Sequence, residues 1–199
     1  MFVELHMIQS FAPSNLNRDD TNNPKDCEFG GARRARISSQ CLKRAIRLAP
    51  EFQRATEVTG GTRTRRVIEY LAPRLAEAGK PQEEVTAVLG RFVPGFWSKL
   101  DKDGQRTSVL LYLSDSELAA IQEALLEEWE PLVLGDDKVL TRVVRDLTKT
   151  FRQHTSAPDI ALFGRMLAER PELNLEAACQ VAHAISTHRV TMEMDWWTA

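Results

Sequence analysis

The sequence predicts an α+β fold, a small sheet carrying a large helical insertion, and three observations predict it. Near the N-terminal end Val3, Leu5 and Met7 are apolar while Glu4 and His6 between them are polar. That is the period of a half-buried strand. The same alternation returns at the other end, where Val190, Met192, Met194 and Trp196 interleave with Thr191, Glu193 and Asp195. Between these two strands the apolar spacing is mostly helical.

The elements follow in order. After the first strand, residues 10–36 are rich in Asn, Asp, Pro and Gly and read as a long connection without regular structure. A connection of that length in a compact domain is unusual and often functional. Near its end Gly30-Gly31 permits positive φ or close approach to a partner. A helix over Gln40–Leu48 comes next, with Ser39 as its N-cap. Leu42, Ala45 and Ile46 form its apolar face, Lys43, Arg44 and Arg47 cluster on the other side, and Pro50 ends it.

A second helix spans Arg65–Ala78, with Val67, Tyr70, Leu71 and Leu75 apolar and a kink or break at Pro73. Pro81, Glu83 and Glu84 suit the first turn of another. Thr107–Leu113 reads as a short strand. Ser114 and Glu117 form a capping-box pattern ahead of a helix over Leu118–Trp129. Val139, Leu140, Val143, Val144, Leu147 and Phe151 are spaced as a buried helical face. Thr155–Met166 reads as irregular. Asn174 is placed to cap a helix reaching Thr187, with Ala178, Ala182 and Ile185 inward.

The chain of 199 residues is 43% hydrophobic and 27% charged, ordinary for a globular protein with a core of normal size. No apolar run approaches the roughly 20 residues that span a bilayer, and the first residues do not read as a signal peptide. Three widely spaced cysteines, Cys27, Cys41 and Cys179, suit reduced thiols in a cytoplasm better than a disulfide framework. The net charge of −2 hides an asymmetry. Arg33, Arg34, Arg36, Lys43, Arg44 and Arg47 occur with no acidic residue among them, while acid concentrates in residues 123–130. A local basic patch matters more for phosphate contact than the total.

The segment 15–47 therefore carries the main chemical expectation. It couples a polar loop, a glycine pair and a basic helix start. Free N–H groups at a helix N-terminus, the donors of Ser38, Ser39 and Gln40, and bidentate arginines all suit a phosphate backbone. Nothing in it reads base identity. From composition alone, a solvated basic helix face is the plainer reading. There is no Gly-x-Ser-x-Gly, Walker loop or His-Glu-x-x-His, so no catalytic residue and no cofactor is expected. His183 and His188 have no Cys or Glu at metal spacing. Taken alone, Met166 reads as core or surface filler and the Trp196–Trp197 pair as sheet-edge packing.

The ordered string LNRDD, KD, FGG-x-RR-x-RISSQ-x-LKRA-x-R across Ser14–Arg47 resembles the signature region of the CasC family, the repeated backbone subunit of the type I-E CRISPR surveillance complex Cascade. Residues 159–166 (DIALFGRM), 182–188 (AHAISTH) and 195–199 (DWWTA) resemble three further blocks of that family. The resemblance implies a modified RRM-like (ferredoxin-like) palm with a helical fingers insertion and a thumb. Its segments are the first palm strand, basic loop and helix at 1–50, fingers at 51–154, thumb at 155–170, and a palm helix and strand at 171–199. Family members continue beyond this last block, so the resemblance implies a palm incomplete at the C-terminus, with an exposed sheet edge.

The resemblance also implies partners and contacts. CRISPR RNA would be held by Arg18, Lys25, Arg33, Arg34, Arg36, Ser38, Gln40, Lys43, Arg44, Arg47, Arg165, Trp196, Trp197 and Thr198. Met166 would wedge against a base step at the thumb. Further copies of the chain and other Cascade subunits would assemble on the RNA, with target DNA met indirectly, in a cytoplasmic ribonucleoprotein of antiviral defence and no membrane partner. In such systems protein holds the backbone and base pairing supplies sequence. Two alternatives stand beside this. Asp19, Asp20 and Asp26 in the loop would hold a divalent ion in an endoribonuclease of the type III backbone-subunit kind, or simply pair with Arg18 or the arginine cluster. A helical scaffold that binds no nucleic acid would fit the acidic middle.

Overall fold

The computed structural model describes residues 1–12, 14–56, 60–152, 155–167 and 169–191. They form mixed α/β structure with two small antiparallel sheets and eight α-helices. Two compact units divide the chain. One joins Met1–Ile46 to Val181–Ala199, and the other is Arg47–Gln180.

In the first unit, strands β1 (Asp26–Phe29) and β2 (Ala32–Ile37) make a hairpin inside the segment expected to lack regular structure. The turn is Gly30-Gly31, with φ of 62° and 68°. Two positive φ values in succession give the two-residue turn whose twist matches a hairpin, and glycine adopts them without a Cβ penalty. A third strand, β5 (Ala184–Ile185), pairs antiparallel with β2 at Arg36↔Ile185 and Ile37↔Ala184. Helix α1 (Ser39–Leu48) follows β2 directly and buries none of its residues. The apolar face expected on it is only partly covered, with Leu42 half-buried and Ile46 37% exposed.

The strand expected over Val3–Met7 is not formed. Residues 1–12 belong to no helix or strand, and Leu5 and Met7 are 82% and 87% exposed. The alternation is real, but a strand exists only within a ladder, and no described segment pairs with this one.

The second unit holds the core. A short α2 (Pro50–Thr56) starts at the proline expected only to stop α1, as proline suits a first helical turn. Strand β3 (Thr62–Thr64) pairs with β4 (Leu111–Leu113). Around them pack α3 (Val67–Glu77), α4 (Gln82–Phe96), α5 (Asp115–Glu127), α6 (Trp129–Val133) and α7 (Asp137–Phe151). Leu71, Leu75, Leu89, Phe92, Phe96, Ile121 and Leu125 are fully buried between them, each contributing roughly 1.5–3 kcal/mol of transfer free energy. Phe96 stacks on Phe92 at 5.3 Å and meets Trp97 and Phe151 edge-on at 4.8 and 5.8 Å. The expected capping box is present: Ser114 Oγ accepts from Glu117 N, and Glu117 Oε2 accepts from Ser114 N at 2.8 Å.

Two expectations here are corrected. The irregular 155–166 stretch contains α8 (Pro158–Phe163), opened by its own proline. Residues 174–187 are not a helix. Asn174 Oδ1 accepts from Leu167 N at 2.6 Å, Leu175 exchanges both backbone bonds with Arg165 at 3.0 and 2.9 Å, and the amides of Ala178 and Cys179 donate to Ala161 O and Leu162 O. Distant carbonyls take the amides that a helix would send four residues back, so tertiary context overrides propensity. Gly164, at φ +74°, permits this: a Cβ there would lie 2.8 Å from Leu175 O. The strand expected over Val190–Trp196 falls outside the described residues from Met192 onward, although Val190 N donates to Arg33 O at 2.9 Å.

Candidate nucleic-acid interface

Strand register decides which basic side chains share a face. Cys27 pairs with Arg34, Glu28 with Arg33 and Asp26 with Ala35, and Arg36 N donates to Lys25 O at 2.9 Å. Because side chains alternate along a strand, Lys25, Cys27, Arg34 and Arg36 lie on one face. Asp26, Glu28, Arg33 and Ala35 lie on the other.

The faces differ in charge. On the acid-bearing face Arg33 Nε donates to Asp26 Oδ2 at 2.6 Å, and Glu28 stands directly across from it. Among the described residues the opposite face has three cations and no carboxylate. Arg34 is oriented by carbonyl oxygens: Nε donates to Phe29 O at 2.9 Å and Nη1 to Ser186 O and Thr187 O at 3.1 and 2.7 Å. Carbonyls fix a guanidinium without neutralising it. Arg36 has no ion pair among the described residues, and its Nε is buried without a hydrogen-bond partner. An uncompensated, half-buried set of arginines suits polyanion binding.

At the start of α1 the amides of Ser39 and Cys41 are already taken by the chain itself. Ser38, not Ser39, caps the helix: Ser38 Oγ accepts from Cys41 N at 3.3 Å, and Ser38 N donates to Asn17 Oδ1 at 2.9 Å. Ser39 N donates to His183 Nδ1 at 2.8 Å, which makes that nitrogen the unprotonated one. These amides are the ones that the sequence offered to phosphate. On the body of α1, Lys43 is half-buried, while Gln40 and Arg44 are exposed. Arg44 has no ion pair among the described residues.

The remaining expected residues lie elsewhere. Arg18 is exposed, and Nη1 donates to Asn22 Oδ1 at 2.9 Å. Arg47, which opens the second unit, lies 4.9 Å over the Phe163 ring and 5.2 Å over Tyr112, with Nε 3.7 Å from Asp159 Oδ2. Asp159 in turn accepts from Gly61 N at 2.8 Å and from the Tyr112 hydroxyl. Burial first, and then the Asp159 carboxylate, push the Tyr112 phenol well above its ordinary range, so it stays a donor. Arg165 is buried, and Met166 beside it is 83% exposed. Trp196, Trp197 and Thr198 lie outside the described residues.

The loop aspartates have local roles. Asp19 Oδ1 accepts from Thr21 N, Thr21 Oγ1 and Asn23 N at 2.8–2.9 Å. The Asn23 amide and the Thr21 hydroxyl hold its carboxyl below the usual carboxylate range. Asp26 is paired with Arg33, while Asp20 is exposed. Among the described residues no group of three or more His, Cys, Asp or Glu is placed to hold a metal, and no helix is long and apolar enough to cross a membrane.

Sequence reading missed the hairpin, Asn17 and His183. A Gly-Gly pair between two short alternating runs was the available hairpin signal. The segregation of carboxylates to one face needed the register, which composition does not carry.

Residues 3–199 match the family described as CT1975-like protein. Solved chains that are similar in structure include the following two. One is titled "CRISPR RNA-guided surveillance complex". It is 30% identical, with a TM-score of 0.70 over 91% of this chain and 57% of its own length. The other carries the same title with "pre-nicking". It is also 30% identical, with a TM-score of 0.66 over 89% of this chain and 50% of its own. This chain thus spans about half the length of these two chains. No curated protein matches it.

Proposed function

The chain belongs to the CT1975-like protein family, and from that premise we propose that it is a non-catalytic CRISPR RNA-binding backbone subunit of a Cascade surveillance complex. In this reading it is of the CasC type, with an RRM-like palm. It polymerises along the guide RNA with further copies of itself and other Cascade subunits, and supports target DNA recognition in antiviral defence.

One observation carries the reading. Lys25, Arg34 and Arg36 share one sheet face with no carboxylate among the described residues, while Asp26 and Glu28 are confined to the other, beside Arg33. With Arg44 exposed on the following helix, this provides a backbone-tracking surface without base-reading groups. That is what a guide-RNA holder needs, since pairing supplies the sequence. Arg18, Gln40 and Lys43 extend the surface. Met166, exposed and apolar, is suited to wedge against a base step, and Trp196, Trp197 and Thr198 add RNA contacts in this reading.

The test is a nuclease footprint of the protein on a guide-like single-stranded RNA, with and without Mg²⁺. Protection repeating at a fixed nucleotide interval is expected in both. Metal-dependent cuts at a fixed interval would replace this reading with the endoribonuclease one. Binding that ignores salt would count against phosphate neutralisation altogether.

A further inference from the structure

Met166 is the second most exposed large apolar residue among the described residues of the second unit: only Leu134, at 85%, exceeds its 83%. Its neighbours are the reverse, with Arg165 4% and Leu167 3% exposed. An apolar side chain in solvent, fixed between two buried residues, differs from an ordinary loop tip, which is mobile. The backbone on both sides is bonded: Arg165 and Leu175 exchange N–H···O bonds at 3.0 and 2.9 Å, and Leu167 N donates to Asn174 Oδ1 at 2.6 Å.

The side chain of Arg165 ties this tip to three places at once. Nη1 donates to Glu117 Oε1 at 2.7 Å and to Tyr112 O at 3.1 Å, and Nε donates to Leu173 O at 3.1 Å. Glu117 uses its other oxygen in the capping box of α5, accepting from Ser114 N at 2.8 Å. The Arg165 and Glu117 side chains are 2% and 3% exposed. A buried, directional ion pair of this kind specifies geometry more than it adds stability.

We propose that Arg165 and Glu117 are positioning residues that hold Met166 out as a fixed apolar contact for the flat face of a nucleobase. The proposal rests on the reading of Met166 as the point that meets paired nucleic acid. It assigns Arg165 a role through Met166 rather than a contact with phosphate. The thioether supplies a polarisable surface without base preference, and the buried pair supplies the fixed direction.

The test uses the full complex assembled on guide RNA, given target strands that carry 2-aminopurine at successive positions. In the wild type, fluorescence maxima recurring at a fixed interval mark unstacked bases. Arg165→Gln and Glu117→Gln are expected to leave guide affinity within about twofold. They should flatten the maxima several-fold and speed amide exchange at Arg165, Leu167 and Leu175 about tenfold. Glu117→Gln keeps a side chain able to serve the capping box, so it carries the test where Arg165→Gln fails to fold. Maxima that persist in the folded variants, while Met166→Gly erases them, would overturn the proposal and leave the function reading intact. Maxima that Met166→Gly also leaves unchanged would overturn the reading of Met166 and the proposal with it.

Discussion

In the helical unit, Arg165 is buried against Glu117 and two carbonyl oxygens. In the sheet unit, Arg34 is held by carbonyls alone and Arg36 meets no carboxylate among the described residues. The residue type is the same and the surroundings are opposite. A neutralised, buried guanidinium organises its own fold, whereas an oriented but uncompensated one keeps its charge for a polyanion. Arginine content in a sequence therefore says less about binding than the position of the nearest carboxylate.

The comparison breaks most sharply at Glu117. Glu117→Ala leaves Arg165 buried and unpaired, and is expected to destabilise the helical unit by about 3–5 kcal/mol. Urea unfolding at neutral pH measures it. A smaller loss comes from Gly61→Ala. The added Cβ would lie 2.6 Å from Tyr112 Cε2 and 2.9 Å from Ile160 Cδ1, an overpacking cost of about 1–3 kcal/mol visible as a lower Tm.

On the sheet side the expected effect moves from stability to binding. Arg36→Ala with Arg44→Ala should remove about two phosphate contacts, lowering the salt slope of single-stranded RNA affinity by roughly 1.4. Arg33→Ala sharpens the contrast. Its charge is already met by Asp26, so the slope should change far less. A loss as large as that of the double variant would show that the two faces are not distinct. Titration of the double variant and of Arg33→Ala over a range of salt concentrations decides it.

The smallest effect is local. The Asp19 carboxyl has a folded pKa below its ordinary 3.8. Its support of the 19–23 turn is therefore present above about that value and lost as pH falls through the lower folded one. The amide signals of Thr21 and Asn23 should report this by NMR, and Asp19→Asn should remove the transition.

Much of the helical unit was legible because its signals are local. The capping box at Ser114 and Glu117, the acidic first turn after Pro81 and the spacing of Val143, Leu147 and Phe151 each lie within a few residues. The segment at 174–187 misled because the amides of Leu175, Ala178 and Cys179 are claimed by carbonyls of residues 161–165 and its end joins a strand at Arg36. Residues 3–7 misled for the complementary reason: the pattern of a strand is local but its ladder is not. At the candidate site, the basic residues were legible and their sorting between faces was not. That sorting depends on a two-glycine turn setting a register, in which one residue of slip exchanges the faces.

The discontinuous sheet unit has a consequence for synthesis. Arg34 reaches Ser186 across 152 positions, and the whole Arg47–Gln180 unit lies between. A chain leaving the ribosome presents β2 and its arginines long before β5 exists to pair with them. The helical unit is complete in sequence by then and is free to fold first. Closure of the sheet is thus a late, long-loop event that limits how soon a newly made chain offers its basic face in final form.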